Sequence, residues 1–151
     1  MIYKEVQADL FSYHDKGYYL VHCISADFAL GAGIAKEFDR RYDIRKLLLF
    51  YIGCDWYKQY GKQNIDYCII VGGKTKVINL ITKQRYFQKP TIESLRRALL
   101  DLKRNCERYN IKKLAMPRIG CGLDKLNWVD VFAEIRNVFQ DTDLEIIICY
   151  L

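Results

Sequence analysis

A chain of 151 residues, 51% hydrophobic and with two prolines, has the size of one domain and buries roughly 70% of its unfolded surface on folding. Its formal charge of +6 points to an anionic partner, small or polymeric, since net charge governs encounter and solubility and not fold. No apolar run nears the ~20 residues of a membrane span, and MIYKEVQADLF lacks the long apolar block of a signal peptide. A single domain over 1–151 is therefore expected, cytoplasmic and away from membranes. Six cysteines, at 23, 54, 68, 106, 121 and 149, make no CxxC pair, and most sit in apolar runs such as YCIIV and IIICY. There a reduced thiol packs as a small hydrophobe, so no disulfide, metal site or cofactor is expected.

In chain order, the strand candidates are Ile2–Val6, Tyr19–Ile24, Tyr67–Val71, Lys76–Ile81, Lys113–Met116 and Leu144–Cys149. Several are continuous in hydrophobicity, which suits strands covered on both faces. Helical stretches are predicted over Gly33–Tyr42 and Ile44–Ile52. After Pro90, Thr91 is a plausible N-cap, and Leu95, Leu99, Leu102 and Cys106 recur at helical spacing. Asn127 is placed to cap a last helix with Val131, Ile135 and Val138 as its apolar stripe. The order β-β-α-α-β-β-α-β-α-β predicts an α/β fold, a three-layer α/β/α sandwich around a mixed, roughly six-stranded sheet. A turn at Gly72–Gly73 makes part of that sheet antiparallel. Positive residues cluster at Lys36–Lys46 and Arg96–Lys113, where a solvated helix face and a phosphate-tracking surface read alike.

In open α/β sheets ligands bind where strands end. Three post-strand loops carry unusual residues: HCISADFALGAGIAKEF, ITKQRYFQKP and PRIGCGLDKLNW. Gly31-Ala32-Gly33 precedes a helix whose N-terminal amides could face a phosphate. It is not a dinucleotide fingerprint, because position 36 is lysine. GGKT at 72–75 imitates the end of a P-loop, but Cys68 replaces the first glycine and a strand follows. Gly120 and Gly122 flank Cys121 and read either as a tight turn or as a backbone cradle. A nucleophilic Cys121 would need a neighbouring base, and the only histidines are His14 and His22. His22 lies in an apparent strand and reads first as a packed residue.

HCISADFALGAGIA, LITK, KPTIESL and MPRIGCGLDKLNW together resemble the macrodomain family, in its terminal ADP-ribose protein glycohydrolase branch. The likeness runs from ADLF at residues 8–11 almost to the C-terminus, with the motifs in the same order. The resemblance implies an ADP-ribose cleft over the strand ends. Asp9, with the backbone at Leu10, would take the adenine; Ala8 stands where glycine is common. Leu30, Gly31, Ala32, Gly33, Ile34 and Ala35 would line the diphosphate and distal ribose. Arg118, Ile119, Gly120, Cys121, Gly122 and Leu123 would close on the diphosphate from the other side.

Many macrodomains that remove ADP-ribose use an asparagine where this chain has Ser25, which is assigned to binding. The branch resemblance implies instead that Lys83 attacks the anomeric carbon of the distal ribose and that Asp124 resolves the lysyl intermediate. A lysine attacks only when neutral. A carboxylate beside an ammonium stabilises the charge, so Asp124 would serve by moving protons. Carboxylate-linked carriers, glutamate above all, are favoured because the leaving group needs little protonation. O-acyl-ADP-ribose deacylation is a further activity implied for the same pocket. The expected partners are ADP-ribose and ADP-ribosylated proteins, bound by a monomer. Two rivals share the cleft: a non-catalytic ADP-ribose reader, which would not require Lys83 or Asp124, and a glycohydrolase for ADP-ribosylated nucleic acid, which the basic helices would serve.

Overall fold

The computed structural model describes residues 1–151. Six strands, β1 (Ile2–Gln7), β2 (Tyr19–Ser25), β3 (Cys68–Val71), β4 (Val77–Lys83), β5 (Lys113–Met116) and β6 (Glu145–Tyr150), form one sheet in the order β1-β6-β5-β2-β4-β3. All neighbours are parallel except β3, which pairs antiparallel with β4 across the Gly72–Gly73 turn. The helices are α1 (Gly33–Tyr42), α2 (Ile44–Tyr51), α3 (Ile92–Tyr109) and α4 (Trp128–Phe139). Two short 3₁₀ segments, Leu10–Lys16 and Trp56–Gln59, complete the chain. Neither spans enough turns to leave a periodic signature, and neither was predicted. No helix is long and apolar enough to cross a membrane.

Alternation along each strand divides the apolar residues into two cores. Val21, Ile78, Leu80, Leu114, Ile146 and Ile148 face Leu95, Leu99 and Leu102 of α3 and Val131 and Ile135 of α4. Leu20, Ile24, Val77, Ile81, Ala115 and Ile147 face Phe38 of α1 and Ile44 and Leu48 of α2. The three layers follow from that two-sided burial. Helix α3 is fixed at its start by a capping box, with Thr91 and Ser94 each accepting the other's backbone N–H. At its far side the buried Asp101 carboxylate accepts the Tyr67 N–H at 2.6 Å, anchoring the approach to β3.

His22, fully buried, stacks on Phe38 with ring centroids 3.9 Å apart and pairs through Nε2 with Asn79 Oδ1 at 2.6 Å. Desolvation lowers its pKa to about 4. It is the packed strand histidine that the sequence favours, not a base for Cys121.

The basic helix residues are largely paired. Glu37 engages Arg40 and Arg41, Glu134 engages Arg96, Asp141 engages Lys103, and Asp143 engages Lys112. A solvated, neutralised face accounts for these stretches of α1 and α3 better than a phosphate track does.

Candidate active site

The sheet reverses its direction of growth between β2 and β5, and β5 pairs with β2 only at Tyr19↔Leu114 and Leu20↔Ala115. β2 runs on beyond β5 to Ser25, so a crevice opens at the carboxyl edge, where an α/β sheet binds ligands. β4 also extends further than the hydrophobic pattern indicates, ending at Lys83 itself, opposite Ser25. Lys83 is thus the last residue of a central strand, and its backbone carbonyl accepts the Ala26 N–H at 2.9 Å. A register shift between Ile24 and Ser25 turns the β2 loop outward beside it.

The Lys83 ammonium donates to Asp124 Oδ1 at 2.7 Å. The two side chains are only 15% and 17% exposed, which makes this a sheltered pair between the end of β4 and the loop after β5, 41 residues apart in sequence. A second tether runs parallel to it: Lys89 Nζ donates to the Leu123 carbonyl at 2.7 Å. The loop after β4 therefore holds the loop after β5 at two points.

Across the crevice, Gly31, Ala32, Gly33 and Ile34 are exposed. Their N–H groups, and that of Ala35, have no acceptor within the protein, and Ala32 caps α1 without a side-chain hydrogen bond. An uncapped helix N-terminus in a crevice is suited to an anion. The loop's shape is held under strain: Phe28 and Leu30 are buried non-glycine residues at φ of 54° and 44°. Arg45 Nε fixes the Phe28 carbonyl at 3.1 Å. Gly33, at φ of 59°, touches the opposite loop, since a Cβ there would lie 3.1 Å from Leu123 Cδ1.

The two glycines beside Cys121 play different parts. Gly120 has φ of 73°, and a Cβ there would meet Leu126 Cδ1 at 2.9 Å; it is a structural glycine of a tight turn closed by Leu126 N–H donating to its carbonyl at 2.7 Å. Gly122 does not adopt positive φ, and nothing lies within 4 Å of where its Cβ would be. Its backbone faces open space. The N–H groups of Gly120, Gly122, Leu123 and Asp124 have no intramolecular acceptor, so turn and cradle coexist in one loop. Cys121 donates to the Ile119 carbonyl at 3.4 Å, and burial raises its pKa. Cys23, near Asp124, is raised to about 12 by burial and then by that carboxylate. Both shifts disfavour the thiolate, the form a nucleophilic cysteine needs.

Burial and pairing set what each of the other expected residues presents to the crevice. Ile119, Leu10 and Leu30 are 2%, 5% and 5% exposed, so only their backbones face the crevice. Arg118 is drawn to the β1 and β6 flank, with Nε 3.5 Å from Glu5 and its guanidinium 4.9 Å above the Tyr150 ring. Asp9, exposed, caps the first 3₁₀ segment by accepting the Phe11 N–H at 3.0 Å and keeps its second oxygen free of protein partners. It lies two residues past the end of β1, at the same edge of the sheet as Lys83 at the end of β4. Four strand spacings separate those ends, about 19 Å at ~4.8 Å each, which suits an elongated ligand of dinucleotide size. Ser25 is 5% exposed, and its hydroxyl donates to Asp27.

Asp27 was not singled out in the sequence. Its Oδ1 also accepts the Ala29 N–H at 3.2 Å, and Oδ2 accepts the Tyr86 N–H at 2.9 Å. It joins the strained loop after β2 to the loop that follows Lys83. An aspartate between Ala26 and Phe28, with no charged neighbour nearby in sequence, was the available signal of a local carboxylate-to-backbone turn.

A family model described as Macro domain matches residues 21–135. The chain belongs to this family. An ADP-ribose glycohydrolase named OARD1 from Bos taurus is 39% identical over 128 residues, which cover 84% of this chain and 78% of the relative. A Mycobacterium tuberculosis protein named DNA ADP-ribosyl glycohydrolase is 28% identical over 80% of this chain but only 34% of its own length. Among solved structures, the macrodomain of Thermus aquaticus DarG superposes with a TM-score of 0.79 at 18% identity, covering 99% of this chain and 98% of that one. The α/β/α sandwich predicted from the strand and helix order, and the macrodomain fold that the motif resemblance implied, are the observed fold.

Proposed function

We propose that this macrodomain removes mono-ADP-ribose from acidic side chains, cutting the ester between the distal ribose and a glutamate carboxylate through a lysyl intermediate on Lys83. At the coarser level the chain is a hydrolase of the ADP-ribose glycohydrolase class, in line with the named activity of its 39%-identical relative. The observation that carries the finer reading is the sheltered Lys83–Asp124 contact of 2.7 Å at the carboxyl edge. A reader would need neither residue.

ADP-ribose would lie along the edge with its adenine at Asp9. Its diphosphate would sit between the free amides of the α1 N-terminus and those of Gly120 to Asp124, and its distal ribose over Lys83. Uncharged, fixed amide donors suit a diphosphate because they bring no charge to desolvate. Asp124 takes a proton from the Lys83 ammonium, and the freed amine attacks the anomeric carbon. A C–N bond forms while the bond to the acyl oxygen breaks, its electron pair leaving with the carboxylate. Asp124 loses that proton to solvent; water then attacks the same carbon, Asp124 accepting water's proton and returning it to the departing amine. The sum is one water consumed, with free ADP-ribose, the glutamate carboxylate and one proton released. O-acyl-ADP-ribose presents the same ester and belongs to the same substrate class.

The relative named for DNA favours a nucleic-acid carrier as a second reading. Against it stand the ion pairs that neutralise the basic face of α3. The working partners are accordingly ADP-ribose and ADP-ribosylated proteins, met by a cytoplasmic monomer. Lys83→Ala should abolish release from modified glutamate while free ADP-ribose still binds, since the amine acts on the transition state. Lys83→Arg should not rescue, because a guanidinium stays protonated. Release by either variant at the unmodified rate would overturn the reading.

A further inference from the structure

A second cavity adjoins Lys83 from the α3 side. Its volume is ≈400 Å³, and none of the residues of the two glycine loops lines it. Lys89 and Arg97 contribute cations against one acid, Glu93, the charge of Lys83 being met by Asp124, and Gln84 and Gln88 add amides. Thr82 is 2% exposed, and its hydroxyl has no oxygen or nitrogen partner; only the Cys23 thiol, a weak partner, lies beside it. Arg97 Nε in the same wall is likewise buried and unpartnered. Buried polar groups are normally satisfied. One donor with no partner and one with only a thiol, in the wall of one cavity beside Lys83 and under a net positive lining, favour an acceptor-rich anion.

Arg97 is preorganised for such a ligand. Its guanidinium lies 3.8 Å from the Tyr67 ring centroid and donates to the Tyr60 hydroxyl at 2.8 Å, which holds the fork in place. The cavity offers no platform for a nucleobase. Tyr60 is its only aromatic residue, and that ring is already engaged edge-on by Tyr67 and covered by Arg97. Stacking on a free aromatic face is what a single-stranded nucleic acid requires. A carboxylate needs only donors.

We propose that this cavity is a carrier subsite that takes the carboxylate of an acidic residue flanking the modified glutamate, so that acidic peptides are the preferred carriers. The inference rests on the reading of Lys83 as the nucleophile acting on ADP-ribosylated glutamate. The flanking position follows from place: a group seated beside Lys83 but outside the ADP-ribose crevice must be a near neighbour of the modified residue, at ~3.3–3.6 Å of reach per extended residue.

The test is a cycle of two peptides against two variants. Each peptide carries one ADP-ribosylated glutamate, flanked either by glutamates or by glutamines, and kcat/KM for release is measured. The wild-type protein should prefer the glutamate-flanked peptide by about tenfold, the scale of a hydrogen bond to a charged group. Arg97→Gln should reduce the preference to within about twofold. Thr82→Val preserves shape and removes a hydroxyl that has no strong partner, so it should fold normally and narrow the preference in part. An ADP-ribosylated single-stranded oligonucleotide is run alongside. Equal rates for both peptides with wild-type protein, or an undiminished preference in Arg97→Gln, would overturn the subsite. So would a loss in Arg97→Gln confined to the oligonucleotide, which would assign the cavity to a phosphate. Failure of the underlying reading looks different: neither peptide would be processed by the wild-type protein, whatever its flanks.

Discussion

Gly120 and Gly122 differ by two positions and should respond oppositely to the same methyl group. At Gly120, φ of 73° costs an L-residue roughly 1–2 kcal/mol. The new Cβ at 2.9 Å from Leu126 Cδ1 forces that side chain off its rotamer for roughly 0.5–1.5 kcal/mol more. Lower unfolded-state entropy returns roughly 0.4–1 kcal/mol. Gly120→Ala should therefore lose about 2 kcal/mol net, or ~4–8 °C in Tm for a domain of this size. Gly122→Ala meets no atom within 4 Å and no positive φ, so the entropy gain alone predicts unchanged or slightly increased stability. Its methyl instead enters the space assigned to the diphosphate, and ADP-ribose affinity should fall at least about tenfold, or ~1.4 kcal/mol. Denaturant unfolding and calorimetric titration with ADP-ribose read the two effects separately. Full affinity in Gly122→Ala would show that no phosphate passes over this loop, and undiminished stability in Gly120→Ala would refute the turn geometry.

Asp9→Ala should weaken ADP-ribose binding and lower stability by about 1 kcal/mol through loss of the Phe11 cap, with kcat at saturating substrate little changed; unchanged affinity would place the adenine elsewhere. His22 is held neutral, its pKa lowered from 6.5 to about 4, so between those values the unfolded chain binds a proton that the folded chain refuses. Stability should thus fall by about 3 kcal/mol as pH drops through that window, and in His22→Gln the fall should be shallower by that amount; identical pH profiles would contradict it. Asp27→Asn cannot accept at both oxygens, so amide exchange at Tyr86 should accelerate and kcat/KM should drop, whereas unaltered exchange would separate Asp27 from the Lys83 loop.

Where the sequence repeats a period, it was legible. α1 occupies Gly33–Tyr42 as predicted, α3 begins after Thr91, and β5 matches at Lys113–Met116. The ends of elements were not. β4 runs two residues past Ile81 because Lys83 is held by pairing with Ser25 of β2, a tertiary effect that hydrophobicity cannot reveal. Within the site, the motif order indicated Lys83 and Asp124, and the 2.7 Å contact unites them. The contacts of Arg118 with Glu5 and Tyr150 were not legible, because both partners lie on other strands. Asp27 and Arg97 went unread for a common reason. Their partners lie on other elements, Tyr86 in one case and Tyr60 with Tyr67 in the other, so nothing local marks them.

The lysyl intermediate is tested most directly by intact-mass measurement of Asp124→Ala during turnover of a glutamate-linked ADP-ribose peptide. Without the carboxylate that lies 2.7 Å from the amine, the ammonium loses its proton to solvent and attack is slowed, but the resolving water is left with no base and is slowed more, so the variant should accumulate one ADP-ribosyl group, and peptide mapping should place it on residue 83. The adduct should disappear in the Lys83→Ala/Asp124→Ala double variant. An adduct on any other residue, or full turnover by Asp124→Ala with none, would contradict the mechanism.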